Sequence, residues 1–373
     1  MKKERNYGVD LLRIFLMMLI VAGHLFVHTG IRDTLTNYSL EWGLTWILQT
    51  IILCAVNCFV LITGYFANVR SYAIRLRKIL LLYGQVLFYS VSVYLILLII
   101  GKTDFSLMGA IRAIFPFLSG QYWFFSSYIL LMLLIPFLNY MLNHLSDFAL
   151  KILTSIIVAL FYVLPIFKIV FMQFDKDEGM GIIGFVTLYI IGHALSRFKL
   201  KISKFKCVIG IVLNCAIMFA SKIVLAYIVE KAQMNAGSSL LYNYNTIFQL
   251  INATLLLFFF KEIKIKNKAT KLISFVSASM FGIYLLHEQP NLRWIIWNEQ
   301  LKGLLLESKT AVYIILIFAI PIAVFLSCLI VDILRRLLGK ALAKIKPVQK
   351  INKVLIEIEN KINKKMTTQK EEK

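Results

Sequence analysis

The chain reads as an all-α, polytopic membrane protein with about ten transmembrane helices. Three observations carry that reading. Of 373 residues, 60% are hydrophobic and only 16% are charged, whereas soluble domains run at roughly a quarter charged; mean hydropathy is +0.78. Apolar runs close to the ~20 residues that cross a bilayer recur along the whole chain, which excludes a soluble protein with one large core. Lys and Arg gather in alternate short loops and in the tail, the pattern of cytoplasmic loops under the positive-inside rule. The net charge of +22 therefore reads as membrane topology, and nucleic-acid binding is not expected.

The first span covers about 9–29, behind the cationic Lys2, Lys3 and Arg5. Its run is too long for a signal peptide and no A-x-A-like site follows, so it is expected to stay in the protein. A short outer loop (Arg32, Asp33, Glu41) leads to the second span, 43–66, and to a basic loop with Arg70, Arg75, Arg77 and Lys78. The third span, 79–100, precedes a half-apolar piece, FSLMGAIRAIFPFLSG, of re-entrant or interfacial character. The fourth and fifth spans cover 122–143 and 149–171, followed by an acidic outer loop with Asp175, Asp177 and Glu178. The sixth, 179–196, meets Arg197, Lys199, Lys201, Lys204 and Lys206; the seventh is 207–229. The eighth, 243–260, meets Lys261, Lys264, Lys266, Lys268 and Lys271, and the ninth is 272–288. The tenth, 310–334, ends at Arg335 and Arg336. Basic loops thus follow spans two, six, eight and ten, while the loop after span four carries little charge beyond Lys151, and both termini are expected in the cytoplasm. Residues 1–338 form the membrane domain and 339–373 a basic cytoplasmic tail. Ile351, Leu355, Ile358 and Ile362 keep a helical stripe in that tail, fitting either an amphipathic helix on an anionic leaflet or a partly ordered solubilising tail.

The first span carries Asp10, Arg13, His24 and His28, groups that are expensive in hydrocarbon and so face a protein interior or a wet cavity. At about 100° per residue, Arg13 and His24 return to nearly the same face, about 16 Å apart along the axis. Asp10 at i−3 and His28 at i+4 extend the stripe. A neutral His24 can take a proton from a hydroxyl, and Arg13 stays ionised to hold an anion or fix Asp10. His24 and His28 could chelate a metal, but no Glu lies between them and no third ligand is evident, so no metal is expected. The five Cys all fall in apolar segments, without CxxC, and point to neither disulfides nor zinc.

Arg13-x10-His24 resembles the R-x10-H signature of the membrane-bound acyltransferase-3 family, which O-acylates bacterial polysaccharides. Five further stretches match in order. NCFVLITGYF, Asn57–Phe66, resembles the F-x-x-S-G-[FY] end of the family's second span, with Thr63 at the Ser position. Arg75-x-x-Lys78 stands where the family has R-x-x-R. GQYWFFSSYILLMLLIPFLN, with Tyr122, Trp123 and Pro136, resembles its Y-W-F stretch. LYIIGHALSR resembles its Y-x-x-G segment, and SFVSASMFGIYLLHEQP its G-I-Y-L-x-H segment, supplying His287. The resemblance spans about 5–335 and implies an O-acyltransferase of the bacterial inner membrane. It implies acetyl-CoA or another acyl-CoA as donor substrate, with no bound cofactor, and a hydroxyl of a cell-envelope polysaccharide or its lipid-linked precursor as acceptor.

Within that expectation His24 and Arg13 are the candidate catalytic pair. Arg75 and Lys78 are candidates for the CoA phosphates or simply a topology signal. Tyr122 and Trp123 line a sugar site or belong to an interfacial aromatic belt, and His287 with Glu288 forms a second imidazole–carboxylate element or an interfacial pair. Lys222 is expected to snorkel, and Asp332 to pair with Arg335 or Arg336. No Gly-rich phosphate loop, no G-x-S-x-G and no H-x4-D occurs, which argues against an ATP-driven pump, a serine hydrolase and a soluble-type glycerol-phosphate acyltransferase. A lipid-linked sugar flippase or transporter, and a membrane glycan polymerase or ligase, are the alternatives.

Overall fold

A computed structural model describes residues 5–167, 177–233 and 238–367. The cations Lys2 and Lys3, Asp175, and the ends of the expected fifth span and of the tail lie outside the described residues. Among the described residues the chain is helical, without a strand. Its helices are α1 (Tyr7–His28), α2 (Ile31–Thr34), α3 (Leu40–Ile52), α4 (Cys54–Tyr65), α5 (Leu76–Ile99), α6 (Leu107–Ile114), α7 (Trp123–His144) and α8 (Asp147–Val158). They continue with α9 (Ile182–Arg197), α10 (Lys204–Lys231), α11 (Ile247–Lys261), α12 (Asn267–Ser277), α13 (Met280–His287), α14 (Pro290–Ile296), α15 (Glu299–Glu307), α16 (Thr310–Leu342) and α17 (Lys346–Thr367).

Eight helical stretches are long and apolar enough to cross a membrane. Two of them contain breaks: Leu53 separates α3 from α4, and Ala278 with Ser279 separates α12 from α13. The expected sixth and eighth spans are α9 and α11, apolar but only 16 and 15 residues long, short of the ~20 that hydrocarbon requires. Both are packed among other helices, so protein covers much of their surface. Peripheral helices behave oppositely: Ile99, Val212, Ile315 and Ile330 turn outward on α5, α10 and α16, where lipid takes the place of core.

The first helix occupies the middle. Asn6 caps it by accepting from the Val9 amide at 3.1 Å, and the Asn6 amide donates to the Lys261 carbonyl at 3.0 Å. Gly8 lets α1 come this close, because a Cβ there would overlap the Phe260 carbonyl. Val9, Leu12 and Leu16 enter one apolar core with α4, α7, α9 and α11. Met17, Val21 and Leu25 enter another with α5, α7, α13 and α16. These two faces flank the Arg13–His24 stripe on the helical wheel, so the stripe points into the seam between the cores.

That seam is framed by close backbone approaches at glycine. On α4 and α9, a Cβ at Gly64 would strike the Tyr189 backbone and one at Gly192 the Leu61 carbonyl. On α13, a Cβ at Gly282 would strike the Asp332 carboxylate of α16. Asp332 itself accepts from Tyr89 at 2.7 Å and from Arg335 at 2.8 Å, as expected for Arg335, while Arg336 turns to the Ser279 hydroxyl at 2.9 Å. Lys222 does not snorkel. It is buried, donates to Ser238 and Ser239 at 2.9 and 3.1 Å, and lies 3.6 Å from the Trp46 ring centre, a cation–π contact that replaces water. The piece around α6 forms a short helix against Tyr94 with Leu107, Met108 and Ile111 exposed.

Candidate active site

A cavity of about 730 Å³ lies in the seam. Along α1 it is lined by Asp10, Arg13, Met17, Ile20, Gly23, His24 and Val27, a reach of about 25 Å at 1.5 Å per residue. Arg13 and His24 therefore share one protein-lined space, as their spacing predicts. At the end of α1 that carries Asp10, Arg5 and Arg13 line the cavity, as does Lys78 of α5. Asp10 holds this end: Oδ2 accepts from Arg5 at 2.6 Å and Oδ1 from Arg13 at 2.9 Å. The Arg5 side chain remains 53% exposed and Arg13 38%, so two guanidiniums and the exposed Lys78 ammonium rim an opening with net positive charge. Arg75, the exposed residue preceding α5, does not line the cavity.

At the other end of α1 four titratable side chains converge. The Nδ1 of His287, at the end of α13, lies 2.6 Å from the Ile283 carbonyl. A carbonyl only accepts, so Nδ1 carries the proton and Nε2 of a neutral ring is an acceptor. The His24 Nδ1 is 2.9 Å from that Nε2 and 3.0 Å from Glu288 Oε1, and so donates. This network assigns His24 the tautomer in which Nε2 keeps its lone pair, and Nε2 has no hydrogen-bond partner among the described residues. His28 Nε2 donates to the same Glu288 oxygen at 2.6 Å, and Arg293 stands 3.6 Å from the other. Glu288 is 7% exposed and His24 20%. A carboxylate buried this far is stabilised by such partners, and it in turn orients the imidazole.

Glu288 also supplies the third ligand that was not evident from the spacing of His24 and His28. His24, His28 and Glu288 offer ligand atoms all within 4.8 Å of one another, a set that could hold a divalent cation. The donors are already hydrogen-bonded to each other directly, which fits a proton-handling cluster as well.

The walls between the two ends are largely aromatic: Phe59, Trp123, Phe124, Tyr128, Tyr244, Phe281 and Tyr284. Thr63, at the family's Ser position, lines the cavity and lies 3.4 Å from the Tyr128 hydroxyl. Of the predicted pair of aromatics only Trp123 faces the cavity. Tyr122 turns into the core and donates to the Leu285 carbonyl at 3.2 Å, which ties it to the last turns of α13 before His287. Arg293 and Gln49 were not foreseen: an outer-loop charge and a lone amide in an apolar span carry no local signature.

The sequence profile of the acyltransferase-3 family, described as an acyltransferase domain, matches residues 6–334. The chain belongs to this family. No match was found among curated proteins or solved structures. Membership makes the chain a membrane acyltransferase, and the matched segment contains every side chain named at the cavity except Arg5.

Proposed function

We propose that the protein moves an acetyl group from acetyl-CoA to a hydroxyl of a cell-envelope polysaccharide or its lipid-linked precursor, in the bacterial inner membrane. The observation that carries this reading is the free Nε2 of His24, held by His287 and Glu288 inside a cavity whose other end is cationic. The acceptor hydroxyl loses its proton to Nε2 as its oxygen attacks the thioester carbonyl. The new C–O bond forms, the C–S bond breaks, and the CoA sulfur leaves with the proton from Nε2. Glu288 stabilises the imidazolium that exists between the two transfers, and His24 ends as it began. No acyl-enzyme is required.

The donor enters at the Arg5, Arg13 and Lys78 end, where forked guanidiniums suit phosphates. With both termini cytoplasmic, this end meets the acyl-CoA pool. The ~16 Å between Arg13 and His24 along the helix is comparable to the reach of an extended pantetheine arm, which would bring the thioester to the imidazole. The acceptor then approaches from the opposite end, among Trp123 and Tyr244.

A cavity following α1 for most of its length also suits a flippase, which moves its substrate without changing it. Purified protein in vesicles, given radiolabelled acetyl-CoA and an envelope glycan extract, separates the readings. Label appearing on the glycan, and lost with His24→Ala, is the expected result. Glycan crossing the bilayer unlabelled supports the flippase, and elongation without label a polymerase.

A further inference from the structure

Gln49 of α3 is 0% exposed, and neither its amide nitrogen nor its carbonyl oxygen has a hydrogen-bond partner. It also lines the cavity. Other buried polar atoms lack partners, among them Trp46 Nε1 and Gln249 Oε1. Gln49 is the side chain among them that borders the cavity, and both of its polar atoms are unsatisfied.

Its height along α1 follows from the packing. A Cβ at Gly23 would lie 2.7 Å from the Ile52 side chain, so Gly23 and Ile52 are level. The two helices run in opposite directions. Gln49, three residues before Ile52, therefore sits about 4.5 Å nearer the His28 end, between the levels of His24 and His28. Trp123 and Tyr244, with ring centres 6.0 Å apart, line the same cavity.

A buried amide without a partner costs stability, on the order of 1–3 kcal/mol, and persists where a ligand supplies the missing bonds. We infer that Gln49 holds the acceptor: its NH₂ donates to one hydroxyl of a pyranose ring and its carbonyl accepts from the adjacent hydroxyl, presenting the sugar to His24. A vicinal diol matches the paired donor and acceptor of a carboxamide. The aromatic pair covers the ring's apolar face, the usual division of labour in a small-molecule site. This inference rests on the acyltransferase reading and adds the residue that selects the acceptor.

The test is Gln49→Leu in purified, membrane-reconstituted protein. Radiolabelled acetyl-CoA is offered with an envelope glycan extract and a panel of methyl hexopyranosides, including 2-, 3-, 4- and 6-deoxy analogues. The expected result is a KM for the acceptor raised about 10- to 100-fold, the size of lost hydrogen bonds to a buried polar group. The KM for acetyl-CoA stays unchanged. The variant should also discriminate less than wild type between a sugar and the deoxy analogue lacking one of the paired hydroxyls. Thermal unfolding without substrate gives a second reading: leucine removes an unpaired amide, so Tm should hold or rise. A fall in Tm would mean that Gln49 is paired within the fold, and an acceptor KM within twofold of wild type would mean that the sugar does not touch it; either overturns the inference. If wild type itself transfers no label to any sugar, the proposed acetyl transfer from acetyl-CoA to a glycan fails, and this assignment with it.

Discussion

His24 has one ring nitrogen committed to His287 and Glu288 and the other open, and that asymmetry gives it a chemical role. Replacing it with Ala removes the base while leaving the helix intact. The expected loss is on the order of 10²–10⁴ in kcat, with membrane insertion retained and Tm lowered because Glu288 and His287 each lose a partner, read by label transfer and thermal unfolding. Glu288→Gln keeps the size and one acceptor but removes the charge that stabilises the imidazolium. It should lower kcat by about tenfold or more, the scale of losing a supporting partner, with little change in the KM for acyl-CoA. Equal kcat in the two proteins would assign Glu288 to packing. At this scale the sequence spoke where a residue was out of place. Arg13 and His24 stand out because ionisable groups are rare in apolar helices. Arg293 and Gln49 do not, since their meaning comes from neighbours far away in the chain. Tyr122 and Trp123 illustrate the remaining gap: adjacent aromatics point in different directions, and only the fold decides which meets the cavity.

The helices explain why the family-like motifs contain glycine. Gly64 is the middle of the Thr63-Gly64-Tyr65 stretch of α4, and Gly192 belongs to the Tyr189-x-x-Gly192 stretch of α9. Each is where one backbone touches the other helix. The contact holds Thr63 against the cavity and closes the wall behind Trp123. Gly64→Ala or Gly192→Ala should therefore drive α4 and α9 apart, at a cost of about 1–3 kcal/mol, seen as a lowered Tm in detergent. Gly84 of α5 meets nothing within 4 Å, so Gly84→Ala should leave Tm unchanged or raise it, since alanine is the better helix former. Equal effects at all three positions would rule out the close-approach argument. The helices themselves were legible from hydropathy and charge. The breaks at Leu53 and at Ala278–Ser279 were not, because no Pro or Gly marks them. Both lie beside the cavity, where Leu53 and Ala278 form part of the lining.

At the scale of the whole molecule the tail joins the cationic end of the cavity. The stripe of Ile351, Leu355, Ile358 and Ile362 was legible as helix periodicity; its docking partner was not. Asn363 of α17 accepts from the Ile74 amide at 2.8 Å and donates to its carbonyl at 3.1 Å. Glu359 accepts from the Arg77 amide at 2.7 Å, and Asn352 from the Arg77 guanidinium at 2.7 Å. These four bonds pin the segment that carries Arg75 and Lys78, and they place a Lys-rich helix next to the cationic opening. A chain ending at Leu342 loses the pins and those cations together. With each lost bond worth about 1 kcal/mol, the loop must be ordered by the donor itself, and the KM for acyl-CoA should rise about fivefold or more. At saturating donor, kcat should stay near wild type, because the His24 cluster lies at the far end of α1. Asn363→Ala, which spares the lysines, separates ordering from charge by how much of the effect it reproduces. A fall in KM on truncation would reverse the argument. The Glu359 carboxylate at the start of α5 would then be a competitor for the donor phosphates, since a helix N-terminus accommodates either anion.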